Sequence, residues 1–216
     1  MHRYRHLMVG LARPESDAGL IGYAAMVARL GAVNEIRFVH VLPAPAGSAP
    51  APDRDQTQAV LQAAVQPHLA GLPAATRVAY DVLAGPLVDR LLTHTAEQQV
   101  DLLLLGDRHG PGEQRTLARR LAMKAPCSVW LVPEGAAPQF RRLLVPIDFS
   151  EPAADALRVA VSLARLSGGA ECLALHAFFN EAVVTYDGYE QVLRGQEQQM
   201  YEQFTEAIDC QGVRVR

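Results

Sequence analysis

Residues 7–42 read LMVGLARPESDAGLIGYAAMVARLGAVNEIRFVHVL, and residues 143–178 read LLVPIDFSEPAADALRVAVSLARLSGGAECLALHAF. The two stretches align without a gap, 136 positions apart (7 against 143), and their hydrophobic phase agrees throughout. Identical pairs recur along the alignment: Leu7/Leu143, Val9/Val145, Glu15/Glu151, Ala18/Ala154, Ala24/Ala160, Ala28/Ala164, Arg29/Arg165, Leu30/Leu166, Glu35/Glu171 and His40/His176. A repeat with so long a period indicates a duplicated domain.

Each copy predicts a strand, a helix and a second strand. The first strand is a short run that is apolar on both faces, as in a buried parallel sheet. A polar break with proline and a capping serine then leads into a helix rich in Ala and Leu, and glycine at its end predicts a left-handed cap. These features fall on Leu7–Leu11, Pro14, Ser16, Gly31 and Ile36–Leu42 in the first copy, and on Leu143–Ile147, Ser150, Pro152, Gly168, Gly169 and Cys172–Phe178 in the second.

The first copy continues until a whole domain is built. After a linker, Pro43–Pro52, the pattern predicts helix Gln56–Leu69, strand Arg77–Leu83, helix Leu87–Gln99, strand Asp101–Leu105, helix Thr116–Lys124 and strand Cys127–Val132. Strands that alternate with helices imply right-handed crossovers and a doubly wound, five-stranded parallel sheet of the α/β class. A second linker, Pro133–Gln139, follows, so we expect a complete domain over residues 1–138.

The second copy, residues 139–216, contains only the first half of such a domain and ends within its expected third strand. Its segment 180–211 is polar, with Val192, Met200, Phe204 and Ile208 at helical spacing, which predicts an amphipathic helix that covers a sheet. A half-sheet leaves an open edge and an uncovered apolar face. Either the chain is a fragment of a longer tandem protein or a partner completes the missing half, and we expect the fragment.

Composition narrows the class of protein. Twenty-three acidic and 20 basic residues give a net charge of −3, which offers no electrostatic reason to expect nucleic acid or an anionic membrane as a partner. The three cysteines, Cys127, Cys172 and Cys210, are widely separated and predict neither a disulfide framework nor a metal site. The apolar start, Leu7–Ala12, is too short for a signal peptide or a membrane span, so we expect a cytoplasmic protein.

A glycine-rich loop follows the predicted strand Asp101–Leu105 and reads GDRHGPGEQRT over residues 106–116. Glycines let backbone N–H groups turn toward an anion, and the following helix N-terminus adds partial positive charge, so this loop is a candidate phosphate site. Gly, Pro and Asp are also ordinary loop residues, and Thr116 is equally suited to cap the helix. The seven histidines have no metal-ligand spacing, and the matched pair His40 and His176 is typical of hydrogen-bonded core residues.

Four stretches together resemble the universal stress proteins: LLLLGDRHG, AGPLVDRLL, KAPCSVWLVP and LLVPIDFSEPAADAL. The resemblance covers nearly all of residues 5–135 and restarts at 141. It implies a five-stranded parallel sheet like that of the adenine nucleotide alpha hydrolases. It also implies a homodimer formed through the last strand, Cys127–Val132, or an intrachain pseudo-dimer. In one branch of the family it implies ATP binding, with Mg²⁺ when ATP is bound.

The chain departs from the pattern of that ATP-binding branch, which has a Gly-x-x-Gly turn, nine residues and then Gly-Ser/Thr. Gly106 fits the first position, but His109 stands at the second, and Arg115-Thr116 replaces the final pair. The family's Asp at the end of strand one is matched by Asp148 in the second copy, whereas the first copy has Ala12. The candidate nucleotide contacts implied by the resemblance are Val41, Gly106, His109, Gly110, Arg115, Thr116 and Asp148.

Three hypotheses for function follow. The first is a non-enzymatic stress-response module that acts through dimerisation and protein contacts and retains a degenerate nucleotide site. The second is an ATP-binding sensor with slow hydrolysis that uses Val41, Gly106, Gly110 and Thr116. The third, an adenylyl-transfer or amidation enzyme, lacks the expected phosphate motif, since the glycine pair Gly168-Gly169 follows the helix and does not precede it.

Overall fold

The computed structural model describes residues 4–13, 17–31, 33–43, 53–107, 113–177, 189–210 and 212–215; for residues 113–118, 189 and 190 it describes the backbone only. The chain divides into two compact units, Arg3–Gln139 and Phe140–Arg216, called here the first and the second unit. The described part contains no helix that is both long and apolar enough to cross a membrane.

The first unit is built on a five-stranded parallel sheet in the order β3-β2-β1-β4-β5. Its strands are β1 (His6–Gly10), β2 (Glu35–Leu42), β3 (Arg77–Ala84), β4 (Leu102–Asp107) and β5 (Ser128–Pro133). The central strand β1 is buried on both faces, with Leu7, Met8 and Val9 at most 1% exposed. The α/β class and the five-stranded parallel sheet predicted from the sequence are therefore confirmed.

Helices cover both faces of this sheet. They are α1 (Ala18–Leu30), α2 (Arg54–Val65), α3 (Leu87–Glu97) and α4 (Glu113–Lys124), with a 3-10 turn at Gln66–His68 after α2. Helices α1 and α2 contact each other and one face, and α3 and α4 contact each other and the opposite face. The α4 helix begins three residues earlier than the sequence pattern predicts, at Glu113 rather than Thr116.

A charged network joins α3 to strands β2 and β3. Glu35, only 7% exposed, accepts hydrogen bonds from the guanidinium groups of Arg37 and Arg77, each at 2.6 Å. Arg37 also donates to Asp81 at 2.6 Å, and Nε2 of His94 in α3 lies 2.8 Å from the same carboxylate oxygen. The network therefore ties the C-terminal half of α3 to β2 and β3. Burial would raise the pKa of Asp81, but its bonds from Arg37 and His94 outweigh burial and lower it.

The second unit contains a two-stranded parallel sheet of β6 (Arg142–Ile147) and β7 (Glu171–His176), with α5 (Glu151–Leu166) and α6 (Tyr189–Glu206). Ser150 caps α5 by accepting a hydrogen bond from the Ala153 N–H at 3.3 Å, as predicted. An isolated bridge pairs Val215 with Cys172 in parallel, where the repeat places a third strand. The core joins Val145, Ile147, Leu157, Val161, Cys172 and Ile208.

One local prediction is wrong and another is only half correct. Gly31 is not left-handed: its φ is −116° and its ψ is 175°, an extended conformation. A Cβ at this position would lie 3.3 Å from the carbonyl oxygen of Val27, a close contact that glycine avoids. The predicted apolar stripe of α6 is only half correct, since Phe204 and Ile208 pack in the core while Val192 and Met200 are 56% and 47% exposed. A two-stranded sheet is too narrow to cover the whole helix.

We expect Asp81→Asn to destabilise the first unit by about 2 kcal/mol at pH 7, because it removes the charge from one of the two carboxylates, Asp81 and Glu35, that pair with the part-buried Arg37. Because the pKa of Asp81 is lowered by folding, its stabilisation is present above the unfolded pKa, about 4, and is lost as pH falls through the folded pKa. The variant should therefore lose less stability than the unmodified chain between about pH 5 and pH 3. Urea unfolding followed by Trp130, the one tryptophan of the chain, reports on this unit.

The matched control is Glu134→Gln, which removes an exposed carboxylate directly after β5 in the same unit. We expect its effect to stay within about 0.5 kcal/mol at every pH. If the free energy of unfolding changed with pH by the same amount in Asp81→Asn and in the unmodified chain, Asp81 would not be the acid-sensitive group.

Candidate functional site

A cavity of about 400 Å³ lies at the carboxyl ends of the central strands of the first unit. The strand order changes direction here, because β1 leads to β2 on one side and pairs with β4 on the other. In open α/β sheets, ligands bind in the crevice outside the strands at this point. The walls are mainly apolar and include Leu11, Val39, Val41, Leu87, Leu91, Leu105 and Leu121.

The carboxylate of Asp17 lines this cavity beside Ala12. Asp17 stands directly before α1, and its Oδ2 accepts hydrogen bonds from the backbone N–H groups of Ala12 at 3.0 Å and Arg13 at 2.9 Å. The start of α1 is thus folded back onto the end of β1. The chain places a negative group at the end of β1 although its own residue there is alanine.

His40 lines the same cavity and is held by the backbone of the neighbouring strand segment. Its Nδ1 lies 2.8 Å from the carbonyl oxygen of Leu11, and the Leu11 N–H donates to the Val39 carbonyl at 2.9 Å. The second unit repeats the arrangement, with Nδ1 of His176 at 2.8 Å from the carbonyl oxygen of Ile147. The matched histidines are therefore hydrogen-bonded structural residues, as the repeat predicts.

Gly10 allows the close approach of β1 and β4 beside the cavity. A Cβ at this position would lie 2.7 Å from Cδ2 of Leu105 and 3.9 Å from Cδ2 of Leu91, and all three residues line the cavity. A larger side chain would therefore displace Leu105 or occupy the space that a ligand would use.

The predicted contacts are distributed unevenly over the structure. Val41 and Gly106 line the cavity. His109 and Gly110 lie outside the described residues. Arg115 and Thr116 belong to α4, and for these two residues only the backbone is described. Asp148 lies in the second unit and is exposed; the side-chain and backbone donors of Ser150, at 2.5 and 3.0 Å, lower its pKa.

The sequence analysis missed Asp17 and Asp107, the two carboxylates that line the cavity, and Gly10. Asp107 was visible as a polar residue at the end of a buried strand. Asp17 was harder to find, because it follows the polar break and reaches the strand end only through the chain reversal before α1.

Cysteine and metal chemistry receive little support from the described residues. Burial raises the pKa of the half-buried Cys127 thiol to about 11, which leaves it protonated at neutral pH. Burial also raises the pKa of Cys172 and Cys210. Within the described ranges, no group of three or more His, Cys, Asp or Glu side chains is arranged to hold a metal ion.

A parallel sheet in the order β3-β2-β1-β4-β5, with a cavity at its change of direction, defines a nucleotide-binding α/β fold. The family model of the universal stress proteins matches the chain twice, over residues 3–133 and 139–214. The chain belongs to the universal stress protein family and contains two copies of its repeat.

Several solved structures of universal stress proteins are similar to this chain. A universal stress protein from Archaeoglobus fulgidus DSM 4304 is 17% identical, covers 98% of this chain and 75% of its own, and superposes with a TM-score of 0.64. A universal stress protein in complex with cAMP is 20% identical over 61% of this chain and 98% of its own, with a TM-score of 0.47. A further structure, from Archaeoglobus fulgidus in complex with dAMP, is 19% identical over 61% and 99% of the two chains, with a TM-score of 0.45. No curated protein sequence matches the chain.

We expect the neutral imidazole of His40 to carry its proton on Nδ1, because the Leu11 carbonyl can only accept. His94 is the matched comparison, since its Nε2 faces a carboxylate oxygen of Asp81 and must carry a proton there. Long-range ¹H–¹⁵N correlation spectra distinguish the two ring nitrogens, and His40→Gln identifies the signal by its loss. A bare Nδ1 in His40 would show that this contact is not a hydrogen bond.

Proposed function

We propose that this protein is a regulatory module of the stress response that acts through dimerisation and protein contacts and has a degenerate nucleotide site in its first unit. The observation that carries the proposal is the charge of the cavity. Among the described residues that line it, the charged ones are Asp17 and Asp107, and both are acidic. Nucleotide sites usually offer backbone N–H groups and cations to the phosphates. We therefore expect this acidic lining to weaken the binding of ATP.

A binding role without catalysis is supported by the side chains around the cavity. The described lining residues include no Ser, Thr, Cys or Lys, so no hydroxyl, thiol or amine nucleophile is among them. His40 could exchange a proton, but its Nδ1 is held by the Leu11 carbonyl, and no nucleophile is paired with it among these lining residues.

The alternative is an ATP-binding sensor with slow hydrolysis that binds Mg²⁺ together with ATP. Its support is the position of Val41 and Gly106, which both line the cavity at the change of strand direction. His109, Gly110, Arg115 and Thr116 would have to supply the phosphate contacts in this alternative. Asp148 belongs to the second unit and would contribute to a separate site there.

The proposed partner surface is the outer edge of β5. This strand is the last in the sheet and pairs with β4 on one side, so its other edge lies at the margin of the sheet, where a second copy of the chain would pair with it. Leu131 on this strand is 40% exposed, and Trp130 packs edge-on against Tyr4 at 5.7 Å between ring centroids. A homodimer through β5 uses this edge, and an intrachain pseudo-dimer would use it with the second repeat.

We propose that the second unit is the first half of a domain, starting near residue 139. Both of its helices pack on one face of the β6–β7 sheet, whereas Leu144 and Leu175 on the opposite face are 61% and 52% exposed. The repeat-related residues of the first unit, Met8 and Val39, are at most 1% exposed, beneath α3 and α4.

We also propose a cytoplasmic location, since three free thiols suit a reducing compartment.

Calorimetric titration of ATP with Mg²⁺ into the full chain tests the nucleotide site. We expect a Kd weaker than about 0.1 mM, and no phosphate release above the buffer rate, because the described lining offers carboxylates and no cation. Micromolar affinity would overturn the degenerate site and support the sensor, with Arg115→Gly and Thr116→Ala as the next variants. Intact mass and a nucleotide assay show beforehand whether the purified chain already contains bound nucleotide.

Light scattering after size exclusion tests the dimer. We expect twice the chain mass for the unmodified protein and a single mass for Leu131→Glu, because a carboxylate on β5 would be desolvated in the interface. The matched control is Leu166→Glu, a leucine of equal exposure, 40%, at the end of α5. A monomeric unmodified chain would contradict the homodimer, and a dimer that survives Leu131→Glu would place the interface elsewhere.

A further inference from the structure

We propose that a second copy of the chain binds through a pair of helices as well as through β5, with α4 of each copy in contact with α6 of the other. This inference rests on the proposed homodimer through β5. It goes further by naming a second contact surface and the segment that occupies it. The surface, called here the α4 patch, consists of the exposed residues Arg119, Arg120, Met123 and Lys124.

The α4 patch combines positive charge with an exposed apolar side chain. Leu121 is 0% exposed and packs in the core of the first unit, which fixes the inner face of the helix. Met123 is 75% exposed, more than any other large apolar side chain among the described residues. Within the described part of the chain, the three cations of the patch have no ion pair. The patch therefore suits a partner that presents carboxylates beside an apolar side chain.

Helix α6 presents such a surface. Phe204 packs its inner face in the core of the second unit, whereas Met200 is 47% exposed and Glu202 and Glu206 are also exposed. Glu202 accepts a hydrogen bond at 2.8 Å from Gln198, whose amide is neutral. The outer face of α6 is therefore acidic and contains an apolar residue, as the α4 patch requires.

The spacing of the charges agrees when the two helices are antiparallel. In α4 the two arginines stand three and four residues before Met123. In α6 the glutamates Glu202 and Glu206 stand two and six residues after Met200. At about 1.5 Å per residue, these charges lie about 5 and 6 Å from Met123 and about 3 and 9 Å from Met200 along the helix axes. Antiparallel helices with Met123 against Met200 therefore bring the arginines beside the glutamates.

Charge also determines which helices pair. Contact between two α4 patches would place arginines against arginines, and contact between two α6 helices would place glutamates against glutamates. Like charges that meet in an interface are unfavourable and suppress the wrong pairing. Methionine adapts to irregular apolar surfaces, so Met123 and Met200 supply an apolar contact between the charged residues.

The α4 patch is continuous with the proposed β5 interface. Helix α4 packs against β5 within the first unit, and Met123 and Leu131 are both exposed. A dimer with two-fold symmetry contains the α4–α6 contact twice, since each copy contributes both helices. Exposed ion pairs contribute little by themselves, so we expect these contacts to strengthen the β5 dimer without replacing it.

Charge reversal tests the pairing through the dimer Kd, measured by light scattering over a dilution series of the full chain. One variant carries Arg119→Glu with Arg120→Glu, and the other carries Glu202→Arg with Glu206→Arg. We expect each variant alone to dimerise at least about 10-fold more weakly than the unmodified chain, because like charges then meet at both contacts. An equimolar mixture of the two variants should recover the dimer, since each α4 then meets an α6 of opposite charge.

The matched control is Arg54→Glu with Arg142→Glu, which makes the same change in net charge at exposed positions outside α4 and α6. We expect its dimer Kd to stay within about 2-fold of that of the unmodified chain. Circular dichroism verifies that every variant retains its helices.

Four results would overturn the contact between α4 and α6 of two copies. If neither charge reversal changed the Kd, the β5 homodimer would stand and the helix contact would not. If the weakened variants failed to recover on mixing, the charges would act elsewhere. Recovery only when all four substitutions are combined in one chain would assign the pairing to an intrachain contact. If the unmodified chain and the mixture were both monomeric, the homodimer and this inference would fail together.

Discussion

The burial of β1 on both faces and along both edges is the constraint on which the first unit depends. Leu7, Met8 and Val9 leave no side of this strand in contact with water, so β2 and β4 must pair with it and helices must cover both faces. Because the chain leaves β1 toward β2 and later returns to β4, the crevice at the end of β1 follows from the same packing. The cavity is thus a result of the strand order that buries β1.

Much of this architecture could be predicted because the signals are local and periodic. Apolar runs identified every strand to within about two residues, and the repeat identified which elements correspond. The backbone conformation of Gly31 was predicted wrongly, because the sequence does not distinguish a glycine with positive φ from an extended glycine that lies close to a carbonyl oxygen. The exposure of Val192 was missed because helical spacing alone does not report the width of the sheet beneath the helix.

The candidate site was less predictable, for a physical reason. Val41 and Gly106 stand at strand ends, where the fold rule directs attention. Asp17 lies near a strand end without belonging to the strand, because its carboxylate accepts hydrogen bonds from the Ala12 and Arg13 N–H groups. Local sequence patterns do not predict these two hydrogen bonds, which is why the sequence analysis missed Asp17.

The exposed face of β6 and β7 has a consequence for synthesis in the cell. The first unit leaves the ribosome first and buries its own apolar surface, because its sheet is covered on both sides. The second unit follows, and Leu144 and Leu175 are in contact with water until other segments cover that face of the β6–β7 sheet. Such surfaces bind chaperones and seed aggregates. During synthesis, the first unit therefore covers its apolar surface earlier than the second.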